Sequence, residues 1–166
     1  MDDYRYLESL KLKLSRYFDI EDNFILNETT FDMKAKCTVV SERYFFTKNN
    51  VIDSFNTYEY YLVKVMSSRH LEEFKNVVDN ILKALETYEI EDDHMRTVIN
   101  IVFILSEHIE KDVENYINKF KYSKNFKFGL KGWADISLIL INLHDNKILA
   151  NKKGKEVIKV FPATNL

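Results

Sequence analysis

The sequence predicts an α/β fold: a single domain with one mixed sheet, a parallel β-α-β-α-β core, helices packed on the sheet and an antiparallel hairpin near the N-terminus. Three observations carry this expectation. Val98 to Leu105 and Ile136 to Leu143 are almost wholly apolar and rich in β-branched residues, the pattern of strands covered on both faces. Two segments with apolar residues at helical spacing, around Leu71 to Leu85 and Ile109 to Phe120, alternate with them. Strand, helix, strand, helix, strand in that order gives parallel strands joined by right-handed crossovers. At 166 residues and 46% hydrophobic side chains, the chain fits one domain with its own core, and no repeat or low-complexity linker divides it.

Taken in order, Leu7, Leu10, Leu14 and Tyr17 form one stripe of an amphipathic helix over Tyr4 to Phe18. Phe24 to Phe46 alternates unevenly around turn signals at Asn27 to Thr30 and Ser41 to Arg43, which reads as two or three antiparallel strands. A short helix is expected over Asn50 to Tyr58, with Val51, Ile52 and Phe55 inward, and then a strand over Tyr60 to Met66. Ser67 and Ser68 are good N-cap residues for the next helix, and Glu72 and Glu73 suit the positive end of its dipole. Its stripe, Leu71, Phe74, Val77, Val78, Ile81, Leu82 and Leu85, is the best formed in the chain. Glu86 to Asp93 reads as a solvated acidic connection, and His94 to Thr97 as loop and strand start. The tail, Asn146 to Phe161, carries a turn at Lys153 and Gly154 and one edge strand.

Composition excludes more than it assigns. Neither Val98 to Leu105 nor Ile136 to Leu143 approaches the roughly 20 apolar residues of a membrane-spanning helix. One cysteine, Cys37, cannot form an internal disulfide, and no signal-peptide pattern opens the chain, so a soluble protein of a reducing, cytoplasmic compartment without a membrane partner is expected. Glycine occurs only at Gly129, Gly132 and Gly154, which removes glycine-rich phosphate loops from the first 128 residues. The single cysteine and four scattered histidines, His70, His94, His108 and His144, lack zinc-ligand spacing. No cofactor and no metal is expected from local motifs.

Charge is informative only by position. The total is −2, yet from Lys119 onward ten lysines face three acids, which makes that segment about +7 and the preceding residues about −9. Lys119, Lys121, Lys124, Lys127 and Lys131 interleave with Phe120, Tyr122, Phe126, Phe128 and Trp133, with no acid among them. Cations for phosphates and rings for bases are what single-stranded nucleic-acid binding uses. The same pattern also fits a solvated lysine face, or docking on an acidic surface, whether that of another protein, of the chain's own Glu86 to Asp93 or of a second copy in a homo-oligomer. A non-catalytic binding or interaction protein is the leading expectation. Gly129 to Trp133 reads either as a close approach to a ligand or as a tight turn with Trp133 packed into the core.

Catalytic candidates lie beyond the carboxyl ends of the parallel strands, where open α/β sheets place ligands. Lys64, Ser67 and Ser68 follow the first strand, Ser106, Glu107 and His108 the second, and His144 and Asp145 the third. These are parts of an acid/base or metal-assisted site, and equally ordinary helix caps. No G-x-S-x-G elbow supports a serine nucleophile.

A second candidate set is Asp32, Lys34 and Lys48. The order helix, hairpin strands, helix, strand over about the first 66 residues resembles the core of the restriction-endonuclease-like PD-(D/E)xK superfamily. The resemblance implies a metal-dependent hydrolase or nuclease, in which an acid on one strand and an acid-x-Lys on the next hold a metal ion and orient water. Asp32 stands where the first acid would be, while Phe46, Thr47, Lys48 places an apolar residue at the second. In another frame, Asp32, Met33, Lys34 reads Asp-x-Lys with Asp22 or Glu28 as the earlier acid. Asp32 and Lys34 on an exposed alternating strand face is the competing reading.

Overall fold

A computed structural model describes residues 2–45 and 47–164, with the side chains of residues 42–53 outside the described set. The chain is a single mixed α/β domain. Helix α1 (Asp3–Leu14) is followed by strands β1 (Asp19–Leu26), β2 (Thr29–Phe45) and β3 (Thr47–Val65), helix α2 (Leu71–Glu86) and β4 (His94–Leu105). Helix α3 (Lys111–Lys119), β5 (Ser123–Asn125), β6 (Trp133–Asn142) and β7 (Lys147–Ala150) complete the order, with short 3₁₀ turns in the tail. The sheet runs β1-β2-β3-β4-β6-β5, and β7 also pairs with β6. β3, β4 and β6 are parallel, while β1-β2, β2-β3, β5-β6 and β6-β7 are antiparallel.

The two crossovers, β3-α2-β4 and β4-α3-β6, step in the same direction along the sheet, so right-handed connections carry both helices to one face. The packing agrees. Phe74, Val78 and Ile81 of α2 and Val113 and Ile117 of α3 share a core with Ile101, Phe103, Leu138 and Leu140. The alternate residues Val102, Ile104, Ile139 and Ile141 point to the other face, where they meet Tyr6, Leu10 and Leu14 of α1 and Phe161 of the tail. The two apolar runs are therefore strands buried on both sides, as their composition requires.

Several local expectations change. The segment from Asn50 to Tyr58 is strand, not helix, because it lies inside β3. Thr47, Val51, Ile52 and Thr57 are β-branched, and pairing with β2 takes up this backbone. No turn forms at Ser41 to Arg43, since β2 continues to Phe45, with irregular pairing after Arg43. β1 pairs with β2 only as far as Lys36, and β4 reaches β3 only from Asn56. The ends of β2 and β3 thus extend beyond their neighbours as a two-stranded ribbon bearing exposed Val39 and Val40. Helix α1 stops at Leu14, where Ser15 closes its last turn, so Tyr17 leaves the predicted stripe and is exposed. The N-cap of α2 is His70, not Ser67 or Ser68; Ser68 Oγ accepts from His70 N at 3.2 Å one step earlier. No helix among the described residues is long and apolar enough to cross a membrane.

Candidate functional site

Three places hold the residues singled out from sequence. The first is the carboxyl rim of β4 and β6. Their parallel register ends with Leu105 opposite Asn142, and Leu143 N donates to Leu105 O at 2.9 Å, so the two following loops leave side by side. His108 and His144, which no local spacing connects, thereby converge on one carboxylate. Asp145 Oδ1 accepts from His144 Nδ1 at 2.9 Å and from His108 Nδ1 at 3.2 Å. Hydrogen bonds from His144 first and His108 second hold the Asp145 carboxyl below the usual carboxylate range.

Asn142, fully buried at the end of β6, braces this corner. Its Nδ2 donates to Glu107 O and to Asp145 Oδ2, each at 3.2 Å, and its Oδ1 accepts from Asp145 N at 2.8 Å. Asn142 was not among the sequence candidates, although a carboxamide in an apolar strand was the available signal. Glu107 contributes its backbone carbonyl to the cluster while its side chain is exposed. Ser106 Oγ bonds instead to Asp3 on α1, and Lys64 Nζ donates to Thr30 O at 2.8 Å. The strand ends therefore bring together His108, His144 and Asp145, not the whole rim.

The second place is the basic aromatic segment. Lys119 and Lys121 are exposed at the end of α3, while Phe120 and Tyr122 are half-buried against the α2–α3 core. Lys124 Nζ donates to Leu85 O at 2.9 Å, a cation on the carbonyl end of α2. Lys131 forms an ion pair with Asp92, so part of the segment docks on the chain's own acidic connection. That contact lowers the Asp92 pKa, through the Lys131 hydrogen bond and then its charge. Trp133 is structural: its Nε1 donates at 3.2 Å to the buried Asp135 Oδ2, which also receives Arg96 at 3.0 Å.

Between Phe126 and Gly132 the chain makes a tight loop. Phe126 N donates to Gly132 O at 3.0 Å, and Lys131 N to Phe126 O at 3.2 Å. Buried His94 fixes its base: Nδ1 donates to Lys131 O at 2.6 Å, and Nε2 shares a hydrogen bond with the Thr97 hydroxyl at 2.9 Å. Phe126 packs edge-on against the His94 ring. At the tip, Lys127, Phe128 and Gly129 all have left-handed backbone, with φ of 46°, 58° and 87°. Phe128 is 105% exposed and Leu130 87%.

The third place is β2. Asp32 Oδ2 accepts from Val65 N at 2.7 Å. Lys34 forms an ion pair with Glu21 and lies over the Phe24 ring, beside a hollow of about 270 Å³ between the sheet and α2. Of the earlier acids, Asp22 pairs with Lys11 at 2.5 Å, and Glu28 is exposed. The Lys48 side chain lies outside the described residues.

In comparison with known proteins, a family described as a domain of unknown function matches residues 2–163. No curated protein and no solved structure matches.

Proposed function

The chain belongs to the DUF8052 family over residues 2–163, and we propose that it is a non-catalytic interaction protein. The recognition element is the Phe126–Gly132 loop, and the partner is a protein with an apolar pocket rimmed by acids. The observation that carries this reading is the exposure of Phe128, on left-handed backbone, and of Leu130 two residues on. A phenylalanine at positive φ costs about 1 kcal/mol or more, and its ring gains no burial within the chain. Such a side chain on a loop anchored at its base by His94, Phe126 and Lys131 has the form of a preorganised aromatic anchor. Exposed Lys127 beside it supplies a cation at the tip.

A protein partner is favoured over nucleic acid. Phe120, Tyr122 and Trp133 are half-buried and Phe126 is buried, leaving Phe128 as the segment's exposed ring. Lys124 and Lys131 already have partners within the chain. One ring and a partly neutralised lysine row make a poor stacking platform.

The test is a photo-crosslinking phenylalanine analogue at position 128 of the full chain, irradiated in the cells of origin and read by mass spectrometry. A discrete protein adduct is expected, and Leu130→Asp combined with Lys127→Glu should abolish it. Absence of any adduct, or one that survives those changes, overturns the proposal. An adduct with a second copy would make the partner the chain itself, and binding of a single-stranded oligonucleotide that weakens steeply with salt would move the reading to nucleic acid.

A further inference from the structure

We propose that the paired strand ends of β4 and β6 form a binding site for a divalent transition-metal ion, with His108, His144 and Asp145 as ligands. Their candidate ligand atoms all lie within 4.8 Å of one another. The two contacts to Asp145 Oδ1, 2.9 and 3.2 Å, match the spacing of neighbouring ligands on one ion. Ligands bound at about 2.1 Å stand about 3.0 Å apart in octahedral geometry and about 3.4 Å apart in tetrahedral geometry.

The chemistry of binding balances simply. In the free cluster each imidazole directs an Nδ1 proton at the shared carboxylate oxygen, and binding starts from the form in which both rings are neutral. The ion takes the place of those two protons, and each imidazole carries its proton on Nε2 instead, where solvent is within reach because His108 and His144 are exposed. Protons move within the imidazoles by exchange with water, and none is released.

The corner is built before the ion arrives. Asn142 holds the Asp145 carboxylate by its Oδ2 and the Asp145 backbone by its N–H, and ties the His108 loop through Glu107 O. Asp145 Oδ1 is thereby left to face the histidines. Such support for a ligating group is what fixes ligand orientation in metal sites. Two imidazole nitrogens and one carboxylate select borderline ions such as Zn²⁺, Co²⁺, Ni²⁺ or Fe²⁺ over Ca²⁺ and Mg²⁺, which favour all-oxygen sites. Remaining coordination positions face water.

Isothermal titration of the full chain with ZnCl₂, repeated with MgCl₂, tests the assignment, and the visible spectrum of the Co²⁺-loaded protein reports the ligand set. One Zn²⁺ per chain is expected, with Mg²⁺ silent at the same concentrations and a Tm that rises with Zn²⁺ because the ion ties two strand ends. His108→Ala and His144→Ala should each weaken Zn²⁺ binding at least about tenfold, and Asp145→Asn similarly. Both histidines are exposed, so an unchanged Tm of the metal-free variants confirms that the fold is intact. If the His108→Ala, His144→Ala double variant binds Zn²⁺ as the parent does, or the parent shows no saturable binding, the site is overturned.

Discussion

Gly129 and Gly132 sit in one loop and share left-handed backbone, at φ 87° and 76°, but differ in what a methyl group would meet. A Cβ at Gly129 reaches open space, whereas one at Gly132 overlaps the Met95 carbonyl. Gly129→Ala should cost about 1 kcal/mol, the backbone term alone, and Gly132→Ala at least about 2 kcal/mol more, as read by urea denaturation. Equal losses would show that the loop base moves freely. Asn151, buried beyond β7, accepts from Leu138 N and Gly154 N and donates to Phe120 O. Asn151→Ala leaves these groups without their partner and should cost about 2–4 kcal/mol in the same measurement. Asp92 makes the opposite case, a fully exposed acid whose folded pKa is lowered by Lys131. A depressed carboxylate adds stability that is complete above its unfolded value of about 3.9 and is lost as pH falls through the folded value. The Asp92 side-chain signal in an NMR titration should therefore stay constant from pH 7 to 5 and move only below the ordinary aspartate range. A midpoint at or above that range would refute the contact.

At the scale of elements, α2 shows how periodicity becomes energy. Phe74 lies on the predicted stripe, is fully buried and meets Phe103 edge-on at 4.9 Å between ring centres. Phe74→Ala should cost about 3–5 kcal/mol in thermal or chemical unfolding, and a loss below about 1 kcal/mol would mean that α2 does not seal this face. The α2 stripe, β4 and β6 were legible in the sequence because their burial patterns repeat over ten or more residues. The stripe of α1 and the hairpin turn between β1 and β2 were legible too, but the stretch from Ser41 to Tyr58 was not. Asn50 to Tyr58 carries a short apolar pattern that fits a helical turn and a strand equally, and only pairing with β2 decides between them. The rim was legible in part. The order of elements placed His108 and His144 at the same end of the sheet, but their meeting at Asp145 depends on the Leu105–Asn142 register, which no spacing along the chain encodes. Phe128 was legible as an aromatic and not as an exposed one, since exposure follows from the left-handed turn at Lys127 to Gly129.

On the scale of the whole molecule, the two faces of the sheet are sealed by different parts of the chain. The α2–α3 face is closed by the crossovers themselves. The other is covered by α1, the first helix, and by the tail residues Val157 to Phe161, with Tyr6 Oη donating to Pro162 O at 2.9 Å. Removal of residues 157–166 should uncover the Tyr61 side of the sheet, raise binding of an apolar dye and abolish a single cooperative unfolding transition. Tyr6→Phe, which deletes only the hydroxyl, should cost about 1 kcal/mol and leave cooperativity intact. A truncated chain that still unfolds in one sharp transition would show that the tail is dispensable to the core. This division also sets a timetable for synthesis. On the ribosome α1 emerges early, yet its cover is completed only when Phe161 is made, nineteen residues after β6 ends at Asn142. At 5–20 residues per second that interval is about 1–4 s, during which α1 is the only cover available to its face of the core. The tail thus acts as the last fastening of the fold, and a chaperone that holds the nascent chain has that interval, and that face, to hold.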